Sequence, residues 1–236
     1  MGKGDETRQA VVDRAVEIAG RLGVAGLTIG SLAAATEMSK SGLFAHFRSK
    51  EALQLAVLAR ARESFVDEVV RPALATTRGE PRVRELFVRW LATSQASAAG
   101  CLFVSAATEF DDDPGAVRDQ LVRDHRDLVD SITQMYRAGV QEGQFRDDLS
   151  PEQFAHDLYG VMLGHFHAHR LLRDPAAERR TRDAFERLLG GIRTSPPDGR
   201  PVADVRTAPA AGGVTGSRPS PTREGLVAGP RTSSGA

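Results

Sequence analysis

From about residue 10 to residue 193, apolar side chains recur at spacings of three and four. Alternating β-branched runs are absent and proline falls at segment ends. That period closes off sheet architectures and predicts an all-α fold. At 236 residues with 41% apolar content, the chain can bury a sizeable core. One cysteine, Cys101, excludes an internal disulfide framework and multi-cysteine zinc modules. No apolar run reaches the roughly 18 residues of a membrane span and the start lacks a signal-type core, so a cytoplasmic protein is expected.

From Ser195 to Ala236 the period vanishes while Pro, Gly, Ser and Thr accumulate, which predicts a disordered tail over 196–236. The rest divides into 1–62, with a long fourth helix bridging to about 71, and a helical region over 72–195. In the first helix Val11, Ala15, Ile18, Ala19 and Leu22 form one stripe. Thr28 can cap a short helix over 29–35, Ser39 a second over 40–47, and Ser49 a long one from Lys50 that Pro72 is expected to stop.

Two short helices joined by a tight turn, with a helix before and a long one after, form a helix-turn-helix whose second helix can enter a DNA major groove. Its exposed first turns carry Lys40, Ser41 and Gly42: a cation, a hydroxyl and a bare backbone. Lys50 opens the next helix, where side-chain charge and backbone amides both favour a phosphate. Lys3, Lys40 and Lys50 are the only lysines of the chain. The overall charge is zero, yet residues 1–50 carry seven Lys/Arg against five Asp/Glu, an asymmetry that permits nucleic-acid contact without proving it.

The stretch "TIGSLAAATEMSKSGLFAHFRSKEAL" resembles the DNA-binding domain of TetR-family (TetR/AcrR) transcriptional regulators. Thr28, Leu32, Ala33, Met38, Ser39, Leu43, His46, Phe47, Ser49, Lys50 and Leu53 stand at the family's places. Two departures matter. The usual glycine and small polar residue of the recognition helix stand exchanged as Ser41 and Gly42. Phe44 and Ala45 replace the common tyrosine, so no phenolic hydrogen bond reaches a phosphate. The candidate DNA contacts are Thr28, Ser39, Lys40, Ser41, Gly42, Phe44, His46 and Lys50, with Phe44 readable either as core or as sugar-facing.

The resemblance implies a homodimeric regulator, a repressor released from a near-palindromic operator in double-stranded DNA by a small effector. No catalysis and no cofactor are expected. It also implies an effector pocket between the middle helices, with Trp90, Cys101, Phe110, Met135 and His165 as candidates. Dimerisation falls to the last two helices, with Leu163, Phe166, Phe185 and Leu189 as candidates.

Two readings compete. His165 and His169, four apart, suit a metal-binding or enzymatic helix, although no H-E-x-x-H pattern accompanies them. A ligand-independent regulator or activator would keep the DNA binding and omit the effector. Cys101 reads as a buried apolar side chain or an oxidant sensor. The acidic run "EFDDDPG" reads as an inter-helix loop rather than a calcium site.

Overall fold

Each short helix near the N-terminus is opened by a hydroxyl that satisfies a backbone amide three residues on. In the computed structural model, which describes residues 3–96 and 101–194, α1 spans Lys3–Leu22, α2 Ile29–Thr36, α3 Lys40–His46 and α4 Lys50–Phe65. Thr28 Oγ1 accepts from Ser31 N at 3.0 Å while Ser31 Oγ accepts from Thr28 N, a reciprocal capping box. Ser39 and Ser49 cap α3 and α4 through Gly42 N and Ala52 N, at 3.1 and 3.0 Å. Such caps contribute about 1 kcal/mol each, which matters for helices of two turns that could not persist alone.

Val11, Ala15, Ile18 and Ala19 of α1 are buried as the spacing predicts, but Leu22 is exposed. The helix ends there, Gly23 turns the chain at φ 81°, and Val24 and Leu27 fill the core in its place. Buried Gln54 of α4 donates to the Val24 carbonyl at 2.8 Å, so the connection is pinned from below. From the far side, Glu109 accepts from Ala25 N at 2.7 Å.

Pro72 does not stop the fourth helix. A π-turn over Val66–Val70 puts the Arg71 N–H on the Val66 carbonyl, five residues back. The ladder has thus changed step before the proline ring arrives, and the chain continues helically as α5, Arg71–Ala75. The remaining helices are α6 Glu80–Ala96, α7 Leu102–Glu109, α8 Ala116–Gln141, α9 Pro151–Phe166 with a π-turn His167–Leu171, and α10 Ala177–Ile192. The expected disordered tail lies outside the described residues.

Two apolar cores form. The first joins α1 to α4 and also takes Leu102, Ala106, Phe110, Val117 and Leu121 from α7 and the start of α8. The second is built by α5, α6, the C-terminal half of α8, α9 and α10 around Trp90, Tyr136, Phe154 and Phe185. Gly139 of α8 lets the buried Phe145 ring lie directly on the helix: a Cβ there would stand 2.1 Å from the ring. Glu80 ties α6 to the end of α10 through paired bonds to Arg193 at 2.8 and 2.6 Å, and it also accepts from Arg84 of its own helix at 2.6 Å. These guanidinium partners, Arg193 first, hold its carboxyl at a pKa of about 2.

Candidate nucleic-acid interface and ligand cavity

The turn between α2 and α3 brings the N-termini of both helices to one surface. Lys40 lies across the start of α2: a Cβ on Gly30 would stand 3.7 Å from Thr28 Oγ1 and 4.0 Å from Lys40 Cε. Thr28, Ser39, Lys40, Ser41 and Lys50 are exposed, and His46 is half-buried beside the buried Phe47 ring. Phe44 is 51% exposed, which removes the core reading for it. Ser41 Oγ lies 3.1 Å from Ser39 Oγ.

The bare backbone of Gly42 has a local cause. Its N–H donates to Ser39 Oγ, and a Cβ at that position would stand 3.2 Å from the same oxygen. The amide is therefore committed to the cap, and only the α-carbon face remains for an approaching duplex. Arg48, between His46 and Lys50, is equally exposed and was absent from the expected set; its place in a cation-rich connection between two helices is the signal that marks it. Lys40, Arg48 and Lys50 enter no ion pair among the described residues. Cations held in solvent without a carboxylate partner keep their charge available to a polyanion.

A cavity of about 110 Å³ opens between α4, α6, α7, α8 and α9. Of the expected set, Trp90 and Cys101 line it. Phe110, Met135 and His165 do not. Phe110 ends α7 and packs into the first core, Met135 packs into the second, and His165 is turned toward Thr181, with Nδ1 3.0 Å from its hydroxyl. The sequence reading missed Arg62, Phe65, Phe103, Asp124 and Tyr159, which complete the walls. Arg62 pairs with Asp127 at 2.5 Å and with the buried Asp124 at 3.3 Å, bridging α4 to α8. Burial pushes the Cys101 thiol pKa up, the opposite of what a readily oxidised thiolate needs, and burial also lifts the Tyr159 hydroxyl to about 12.

His165 and His169 stack with ring centroids 5.4 Å apart and planes 8° from parallel. Among the described residues no group of three or more His, Cys, Asp or Glu stands close enough to hold a metal ion. Burial, then the neighbouring His169, pushes the His165 pKa down. Of the expected dimer residues, Phe185 and Leu189 face inward: α10 turns that stripe into its own protomer's core, where Phe185 stacks on Phe87 at 3.8 Å. Leu163 is 39% exposed and Phe166 half-buried. Among the described residues no helix is long and apolar enough to cross a membrane.

Two family models match. Residues 11–57 match "Bacterial regulatory proteins, tetR family", and residues 79–185 match "Tetracyclin repressor-like, C-terminal domain". The HTH-type transcriptional repressor DhaR of Mycobacterium sp. (strain GP1) is 27% identical over 160 residues, covering 66% of this chain and 79% of its own. A TetR transcriptional regulator from Chloroflexus aurantiacus J-10-FL superposes with a TM-score of 0.72 at 26% identity, covering 82% of this chain and 99% of its own. A TetR-family regulator from Cytophaga hutchinsonii does so with a TM-score of 0.73 at 20% identity, covering 83% and 98%. The two matched regions together span well over half of the sequence, with the capped short helices in one and the cavity-bearing bundle in the other: the chain belongs to the TetR family of bacterial transcriptional regulators, which are not enzymes.

Proposed function

We propose that the protein is a homodimeric repressor that holds a near-palindromic operator through two copies of α3 and releases it when a small molecule enters the cavity. The observation that carries this reading is the path of α4. Its first residue, Lys50, stands with the free cations of the head, and its last turns supply Arg62 and Phe65 to the cavity wall. One rigid element therefore ends at both places, and a ligand that displaces its C-terminal end moves its N-terminal end too. Glu109 adds a second link, since α7 both borders the cavity and grips the α1–α2 connection.

Thr28, Lys40, Arg48, His46 and Lys50 anchor phosphate and sugar in this reading, while Ser41 and Phe44 reach into the groove. One helix of two turns spans only a few base pairs, so specificity requires two heads. The open face of α9 is the proposed dimer seam: Leu163 and Phe166 project there, and beside them Gly160 and Gly164 leave space in which a Cβ would meet nothing. The Mycobacterium relative is itself named a repressor, which favours repression over activation.

Selecting bound duplexes from a random pool, then footprinting the winner, tests this. The expected outcome is a two-fold site with half-sites about one helical turn apart, or a multiple of it. A single asymmetric site held tightly by one protomer would overturn the two-headed mechanism.

A further inference from the structure

The cavity holds charge that its walls do not balance. Asp124 sits on the apolar stripe of α8 between Leu121 and Leu128, its side chain only 4% exposed. Oδ1 accepts from Gln120 Nε2 at 2.9 Å and faces Arg62 Nε at 3.3 Å. Oδ2 is buried and has no hydrogen-bond partner. Arg62 is also committed to Asp127 at 2.5 Å, so one guanidinium serves two carboxylates. A carboxylate oxygen shielded from water and left without a donor calls for a ligand that brings one.

The other walls are aromatic. Phe65, Phe103, His125 and Tyr159 form a row of edge-to-face rings, with successive centroids 6.4, 6.3 and 6.0 Å apart. Trp90 closes one side. His125 Nδ1 lies 2.8 Å from the Leu121 carbonyl, which can only accept, so that nitrogen carries the hydrogen. Aromatic faces attract cations through their quadrupoles, and an excess carboxylate attracts them through charge. A ligand carboxylate would meet two acids and a guanidinium already in use.

From this juxtaposition we propose that the cavity takes a small organic cation, an amine on a single ring or short apolar chain, whose ammonium donates to Asp124 Oδ2. An ammonium there brings the cluster of Arg62, Asp124 and Asp127 to zero net charge. At about 110 Å³ the cavity is smaller than the apolar protein cavity of about 150 Å³ that accommodates benzene, so a ring amine would leave part of its ring at the open side. This deepens the reading of the cavity as the effector site and rests on it. An ammonium on Oδ2 adds a second cation to the carboxylate that Arg62 faces through Oδ1, which weakens the Arg62–Asp124 attraction and so loosens the bridge between α4 and α8.

Trp90 is the only tryptophan of the chain and lines the cavity, so its emission reports occupancy without DNA present. Benzylamine, benzyl alcohol and benzoate are titrated against the full chain and against Asp124→Asn, which keeps the shape and the Oδ1 acceptor. Benzylamine is expected to change the emission saturably and to bind roughly ten-fold or more tighter than the other two, an advantage that Asp124→Asn removes. Equal binding of the alcohol or the benzoate, no response to the amine, or an unchanged amine affinity in a folded Asp124→Asn protein overturns the proposal. Should that variant unfold by circular dichroism, the wild-type comparison of the three probes decides alone. Operator binding is measured separately, so a failure of this assay and a failure of the repressor reading are distinguishable.

Discussion

The head formed by α1 to α4 and the bundle behind it both rest on well-filled apolar cores and both carry paired arginines, Arg14 with Glu17 and Arg60 with Asp13 in the head, yet the head also keeps a cluster of exposed cations outside any such pair. Several arginines of the bundle are paired: Arg84 bridges Glu80 and Glu186, Arg193 clasps Glu80, and Arg137 meets Glu152. In the head, Lys40, Arg48 and Lys50 are exposed and enter no ion pair among the described residues. Pairs in the bundle fix one helix against another. Unpaired charges in the head add little to folding, and in the proposed reading they meet phosphate. The comparison separates substitutions that should change DNA affinity from those that should change stability.

The largest effect is expected where neither kind of charge acts. Replacing Leu163 and Phe166 together by glutamate should yield monomers in size-exclusion with light scattering. Operator affinity should then fall toward the non-specific level, by roughly a thousand-fold or more, while the heads stay folded. A double variant that remains dimeric would move the seam elsewhere. On the stability side, Gly139→Ala should lower the unfolding free energy by about 1–3 kcal/mol, because the Phe145 ring stacked on Tyr136 has little room to retreat. The folded fraction should bind operator as the wild type does; denaturant titration beside a binding isotherm checks both halves.

Glu80 gives a pH test of the paired region. Its folded pKa, about 2, lies below the ordinary glutamate value of 4.5, so the folded state binds fewer protons between the two. The stability it contributes is fully present above 4.5 and is lost as pH falls through 2. Wild type should therefore lose about 2 kcal/mol more than Glu80→Gln between about pH 5 and pH 2, read from denaturant midpoints. The smallest effect belongs to the head: Ala45→Tyr should tighten DNA binding by about 1 kcal/mol, the net contribution of one added hydrogen bond to phosphate. An unchanged affinity with an intact fold would show that position 45 does not face the backbone.

The same contrast explains what could be read before any coordinates. In the head, each decisive contact is local: Thr28, Ser39 and Ser49 each reach an amide three residues on, so spacing alone exposes the caps and, with them, the turn. The cavity draws on residues from Arg62 to Met162, and which faces of five helices converge depends on packing that no single period encodes. Trp90 and Cys101 were legible as candidates, but Phe110 was claimed by the first core, while Met135 and His165 were claimed by the second and by Thr181. Phe185 and Leu189 looked available for a partner because an amphipathic stripe does not say whose core it enters. The helix running through Pro72 was hidden because the π-turn that admits it is a backbone register change with no residue signature of its own. Asp124 was the missed clue: an acid three residues after Leu121 and four before Leu128 interrupts an otherwise apolar stripe, and buried charge on such a stripe marks a site.

The claim that free cations of the head meet phosphate is tested most directly by the salt dependence of binding. The logarithm of operator affinity is plotted against the logarithm of salt concentration for wild type and for a Lys40→Ala, Lys50→Ala double variant. The account predicts weaker binding to operator and to unrelated DNA alike, with a slope shallower by roughly 1.8, about 0.9 for each phosphate contact removed. A double variant that keeps the wild-type slope, or that loses affinity for the operator alone, would contradict it.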